Sequence, residues 1–177
     1  MDDDLDLPCD AAAATVGGSP YLYAMDTDNH RVTQFTPAGE FERKWSAYFS
    51  EGVGIDWDGA DYLYVADRYW GEISKHAASD SAQVTTWGGG TTFSNLADVA
   101  VDRSGSGLVY AADAGNNRVQ VFSTELAFCG KRGSIGTGDL QFANRPESRL
   151  TERGTSMSRT RITGGCVSSG PPAPLLL

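Results

Sequence analysis

The side chains best placed for chemistry are aspartates that recur at one position of a repeated phrase. Asp26, Asp67 and Asp113 each close an apolar run: Leu22-Tyr-Ala-Met-Asp26, Leu63-Tyr-Val-Ala-Asp67 and Val109-Tyr-Ala-Ala-Asp113. The first and third are followed by Asn29-His30-Arg31 and Asn116-Asn117-Arg118. An aspartate at the end of such a run can accept hydrogen bonds from turn amides, and an arginine beyond the turn can pair with it. Gly or Asn between them supplies the positive-φ position. The same carboxylate would act as acid, base or metal ligand only where other groups converged on it. A recurring turn needs this pattern and a catalytic site does not, so Asp26, Asn29, His30, Arg31, Asp67, Asp113, Asn116, Asn117 and Arg118 are expected to form a structural turn motif, with no catalytic residue among them.

Other candidates are sparse. His30 and His76 are the only histidines, and no spacing brings a further ligand to either, so both are expected at turns or on the surface. Asp56, Asp58, Asp61 and Asp102 stand at strand ends, where Asp/Gly turns account for them without calcium. Cys9, Cys129 and Cys166 are too widely spaced for a zinc pattern and are expected as free thiols. Gly88-Gly-Gly90 has no helix after it to bind phosphate. No nucleophile-elbow, P-loop or HExxH pattern is present. Neither a metal nor a cofactor is expected.

The elements that position these residues are short strands. Each aspartate phrase reads as strand, turn, strand, ending at Phe35, His76 and Phe122. A short strand with an Asp/Gly turn precedes it, at Val53–Gly59, Val99–Gly105 and, more weakly, Ala14–Gly18. Another follows it, at Glu40–Trp45, Gln83–Trp87 and Ala127–Lys131. A loop with one aromatic, Phe49, Phe93 or Phe142, leads into the next unit. The aspartates are 41 and 46 residues apart, a period that includes four-stranded propeller blades. The expected fold is all-β, a partial β-propeller of about three four-stranded blades.

Composition agrees with this. The 177 residues are 40% hydrophobic and 21% charged, with 21 glycines suited to a turn-rich β chain. No apolar run approaches the roughly 18 residues of a membrane span. The start, Met1-Asp-Asp-Asp-Leu-Asp, lacks the basic-then-apolar order of a signal peptide, and the compartment is left open. A net charge of −9 repels phosphate backbones and counts against general nucleic-acid binding.

Asp26-Thr-Asp-Asn-His-Arg-Val32 and Asp113-Ala-Gly-Asn-Asn-Arg-Val119 resemble NHL repeats, and Gly136–Pro146 resembles that family's inter-blade loop. The second copy departs, with Tyr69-Trp70-Gly71-Glu72 in place of Asn-His-Arg. The resemblance implies a six-bladed, TolB-like propeller over residues 11–150, with blades near 11–48, 49–92 and 93–135 and a fourth beginning at 136–150. Residues 1–10 form an acidic N-terminal segment.

Three units do not close a ring, so remaining blades or self-association are expected. From Arg149 the text turns to Ser, Thr, Arg, Gly and Pro, and 151–177 reads as a disordered tail. A shifted reading frame over 154–170 permits Asp-Val-Tyr-Val-Ala-Asp-Thr-His-Asn-Gly-Arg-Val, in register with the period, so an out-of-frame fourth repeat is the alternative.

Because strand direction alternates, the turns holding Asp26–Arg31, Arg68–Gly71 and Asp113–Arg118 share one propeller face with the inter-blade loops. Arg68, Tyr69 and Trp70 are the candidate interaction residues there. The resemblance implies a non-enzymatic binding scaffold for a protein or small ligand. The alternatives it leaves open are a truncated propeller lyase of the peptide-amidating or streptogramin type, and the substrate-binding propeller of a ubiquitin-ligase-type protein.

Overall fold

The computed structural model describes residues 4–46, 49–135 and 141–142. Twelve strands form three antiparallel four-stranded sheets, each a meander in chain order. Blade 1 holds β1 (Pro8–Val16), β2 (Ser19–Asp26), β3 (Arg31–Phe35) and β4 (Phe41–Trp45). Blade 2 holds β5 (Gly52–Trp57), β6 (Tyr62–Asp67), β7 (Glu72–Ala77) and β8 (Gln83–Gly88). Blade 3 holds β9 (Leu96–Val101), β10 (Leu108–Asp113), β11 (Arg118–Ser123) and β12 (Phe128–Arg132). A two-residue parallel pair, β13 (Ser134–Ile135) with β14 (Gln141–Phe142), follows. One 3₁₀ turn, Ala114–Asn116, is the only helical element among the described residues, and no helix there is long and apolar enough to cross a membrane. This is a partial β-propeller. The tail 151–177, and all of the Gly136–Pro146 loop except 141–142, lie outside the described residues.

Local chemistry sets the strands. Val16 pairs with Ser19 across Gly17-Gly18, both at positive φ, the geometry of a two-residue hairpin turn. β1 reaches back to Pro8, beyond the Ala14–Gly18 stretch expected, because four consecutive alanines offer the ladder no polar alternation to read but pair along β2 all the same. Each blade also has a bulge where its first strand meets the aspartate end of its second: between Pro8 and Asp10, between Gly52 and Gly54, and between Ala112 and Asp113. A bulge adds twist and re-aims the side chain beside it.

The core lies between blades. Tyr23, Met25 and Val32 of blade 1 pack against Ile55, Leu63 and Val65 of blade 2. Tyr64, Ala66 and Ile73 of blade 2 pack against Leu96, Val109 and Phe122 of blade 3. Successive β6 residues thus serve opposite seams, and Leu63–Asp67 is buried throughout. Burying each large apolar side chain contributes about 1.5–3 kcal/mol, so the seams carry most of the stability.

Polar contacts set the seam register. The Tyr23 hydroxyl donates to the Ala78 carbonyl at 3.2 Å, and the Tyr64 hydroxyl to the Thr124 carbonyl at 2.8 Å. Arg43 Nη2 also donates to the Ala78 carbonyl, at 2.7 Å. Buried Lys75 Nζ donates to Glu125 Oε1 at 2.9 Å and lies 4.0 Å from the centre of the Tyr62 ring. The first strands meet through carboxylates: Ile55 N donates to Asp10 Oδ2 at 3.0 Å, and Val101 N to Asp56 Oδ2 at 2.8 Å.

Two sequence expectations are corrected here. His76 is fully buried, not at a turn or on the surface, because on β7 it alternates with Lys75 and faces blade 1. Its ring meets Phe49 edge-on, and Nε2 lies 2.9 Å from the Ser74 hydroxyl. Cys129 is disulfide-bonded and not a free thiol, while Cys9 is free and exposed. An odd cysteine count excludes full pairing, not a single bridge.

Burial holds His76 below its ordinary value of 6.5, against the opposing hydrogen bond to the Ser81 carbonyl. The unfolded chain therefore takes up this proton first. The stability tied to neutral His76 is present above about pH 6.5 and falls as pH drops through that value toward the lower folded one. The urea midpoint is expected to fall between pH 7.5 and 5.5, with a smaller fall in His76→Gln.

Candidate functional site

The three aspartates sit at the bulged ends of β2, β6 and β10 and are buried. Each clamps the loop entering its own blade to the turn leaving its second strand. Asp26 Oδ1 accepts from Asp6 N at 2.7 Å, both its oxygens lie within 3.1 Å of Asn29 Nδ2, and Oδ2 accepts from Arg31 Nε at 2.6 Å. Arg31 Nη2 and Asn29 Nδ2 reach on to the Asp4 carbonyl. Asp113 repeats this with Ser94 N at 2.8 Å, Asn116 Nδ2 at 2.9 Å and Arg118 Nε at 2.6 Å, and adds Gln120 Nε2 at 2.9 Å. Arg118 Nη2 and Gln120 Nε2 both donate to the Thr92 carbonyl.

The residue before the third strand is left-handed in every blade: His30 at φ 53°, Gly71 at 62° and Asn117 at 51°. Gly71 takes this conformation without Cβ strain, whereas His30 and Asn117 hold it under the clamp.

Blade 2 keeps the clamp and changes its chemistry. Asp67 Oδ2 accepts from Ser50 N at 2.7 Å and Glu51 N at 3.2 Å, and Oδ1 from Trp70 N at 2.9 Å. Glu72 stands where Arg31 and Arg118 stand, opposite Asp67 in the ladder. Burial, with the Asp67 charge beside it, raises the Glu72 carboxyl above its ordinary range. Arg68 turns sideways, donating to Glu51 Oε1 at 2.8 Å and to the Leu96 carbonyl at 3.3 Å. Tyr69 and Trp70 project from this turn, 67% and 49% exposed, with ring centres 4.9 Å apart and planes at 90°.

These arrangements limit the chemistry. Asp26 and Asp113 are ringed by donors, which leaves no lone pair directed at an outside atom. Asp58 and Asp102 accept from their own turns, Asp58 from Ala60 N and Tyr62 N, Asp102 from Ser104 N and the Ser106 hydroxyl. No group of three His, Cys, Asp or Glu side chains is arranged to hold a metal among the described residues. Phe49 and Phe93 are packed into the seams. A cleft of about 210 Å³, lined by residues that include Tyr21, Gln34, Glu42 and Arg43, opens on the opposite face from the aspartate turns. Sequence reasoning missed Gln120 and the clamped amides. Asp6, Ser50 and Ser94 recur 44 residues apart, a signal without a residue type because the donor is backbone.

No family model matches the sequence, and no curated protein matches it. Solved structures are similar in fold. Virginiamycin B lyase from Staphylococcus aureus superposes with a TM-score of 0.62 at 13% identity, over 78% of this chain and 44% of that one. Kuenenia stuttgartiensis hydrazine synthase gives 0.61 at 17%, over 76% and 38%. The WD40 repeats of RRP9 give 0.55 at 13%, over 71% and 38%. The chain thus spans about two fifths of the length of these structures.

Two substitutions test the clamp. Asp113→Ala strips four donor groups of a buried acceptor and is expected to lower stability by about 3 kcal/mol in urea unfolding. Glu72→Gln removes a carboxylate the fold disfavours. It should raise the urea midpoint at pH 7, with the gain vanishing as pH falls through 4.5, where the wild-type carboxyl is protonated in both states.

Proposed function

We propose that this chain is an NHL-type segment of a six-bladed, TolB-like propeller that acts as a binding scaffold and performs no catalysis of its own. The observation that carries this reading is the exposed Tyr69–Trp70 pair on the face whose clamp aspartates, Asp26, Asp67 and Asp113, are committed to turn hydrogen bonds. Two aromatic rings held at right angles offer large contact area at small entropic loss. Arg68, tied to Glu51 and the Leu96 carbonyl, braces their turn. Trp70 stands where the other turns have their clamping Asn and, with Tyr69, points outward, which suits recognition more than folding.

The NHL assignment is supported by the shared clamp of Asp26 and Asp113, in which Asn and Arg three and five residues on meet one carboxylate. A net charge of −9 favours a protein or small ligand over nucleic acid. A second reading, a segment of a propeller lyase, has the likeness to virginiamycin B lyase in its favour. Fold likeness carries no chemistry, and that reading requires groups supplied from elsewhere.

Selection of a displayed peptide library on the immobilised chain tests the scaffold reading. Selected peptides should bind Tyr69→Ser/Trp70→Ser at least tenfold more weakly, while the urea midpoint stays unchanged and a substitution on the opposite face, Ser106→Arg, has no effect. Peptides indifferent to the aromatic pair would refute it.

A further inference from the structure

The fifth residue after each clamp aspartate is a cation in two blades and a carboxylate in the third. Arg31 Nε lies 2.6 Å from Asp26 Oδ2, and Arg118 Nε 2.6 Å from Asp113 Oδ2. In blade 2 the position holds Glu72, opposite Asp67 in the ladder. The cation of that turn is engaged elsewhere, with Arg68 Nη1 2.8 Å from Glu51 Oε1. Asp67 is satisfied by the amides of Ser50, Glu51 and Trp70. Half-buried Glu72 has neither a cation nor a hydrogen-bond donor at its carboxylate among the described residues. Burial and the Asp67 charge both work against its ionised form, and a cation brought to it would work the other way.

Two aromatic rings precede this carboxylate. Tyr69 and Trp70 meet edge to face, separated from Glu72 by Gly71 alone. Ring faces carry the negative pole of the aromatic quadrupole, so they attract cations and repel anions. The backbone beneath them is fixed along its length. Arg68 N donates to the Glu51 carbonyl at 2.8 Å, Trp70 N to Asp67 Oδ1 at 2.9 Å, and Gly89 N to the Gly71 carbonyl at 2.7 Å. Little ordering of this turn is left for a ligand to impose. The surrounding face agrees in sign. Arg31, Arg68 and Arg118 are each tied to a carboxylate of this chain, while Asp28 in the blade 1 turn is exposed.

We propose that the turn of Tyr69, Trp70 and Glu72 binds an arginine side chain of a partner protein, which supplies at Glu72 the guanidinium that blades 1 and 3 supply for themselves. A guanidinium is planar, so one face can lie on an aromatic ring while its edge donates to a carboxylate, a combination that the compact ammonium of lysine does not match. This inference rests on the scaffold reading of the same face and adds the chemistry of the ligand.

NMR titration of the isotope-labelled 177-residue chain at low salt, with the peptide acetyl-Gly-Gly-Arg-Gly-Gly-amide, tests it. Saturable shifts are expected at the amides of residues 68–72, and Tyr69→Ser/Trp70→Ser should lose them. The lysine counterpart should bind more weakly. The citrulline counterpart, alike in shape and uncharged, and the Glu72→Gln variant should each weaken binding about tenfold. Glu72→Gln is expected to fold at least as stably as the wild type, so its loss would not come from unfolding. Asp28→Asn removes the same charge from the same face and should change binding less than about twofold, which separates a site from the general attraction of a chain of net charge −9. An absence of shifts at residues 68–72, equal binding of the lysine or citrulline peptide, or equal losses in Glu72→Gln and Asp28→Asn would each overturn the inference. Library peptides that need the aromatic pair but bind Glu72→Gln as well as the wild type would also overturn it, and would leave the scaffold reading standing.

Discussion

The constraint on which the structure depends is that a four-stranded blade has two apolar faces and can cover neither by itself. An antiparallel sheet with one wet face would alternate apolar and polar residues along each strand. In blade 2, Leu63 and Val65 belong to one seam, Tyr64 and Ala66 to the other, and none of them meets water. Burial in this molecule is a property of position in the stack as much as of residue type. Leu63 is fully buried because blade 1 lies behind it, and Leu22, at the same place in the repeat, is not.

Stacking of this kind needs a register, and the polar contacts provide it. The seam tyrosines, the Asp10 and Asp56 carboxylates on neighbouring amides and the Lys75–Glu125 pair are directional, whereas apolar packing is not. Within each blade the clamp aspartate does comparable work. It gathers the entry loop and the exit turn onto one buried carboxylate, so that the loops of a whole face are held from the ends of β2, β6 and β10. Because those carboxylates are saturated with donors, they hold the face in place without being available to a ligand.

Variation of a repeated turn separates structure from recognition. Blades 1 and 3 use Asn and Arg to complete the clamp. Blade 2 makes do with the amides of Ser50, Glu51 and Trp70, places a glutamate where the arginine would be and turns two aromatic rings outward. Where a repeat sacrifices part of its own stabilising hardware, the replaced side chains are the ones to examine for a partner.

Much of this fold is legible in the amino-acid sequence because its signals are local. Alternation of period two, the Gly17-Gly18 turn, the Asp-to-Arg spacing across each turn and the 41- and 46-residue intervals are all written within short stretches. They determine the strands, the meander and the clamp. What lies across a seam belongs to another blade, and only the tertiary structure decided it. That is why His76 and Lys75, polar by type, are buried, why Phe49 and Phe93 are core residues, and why β1 extends to Pro8 through featureless alanines. It is also why the donors from Asp6, Ser50 and Ser94 went unseen, since a backbone amide has no identity in the sequence. Local backbone preference is set by the residue and its near neighbours; solvent exposure is set by whatever packs on the opposite face.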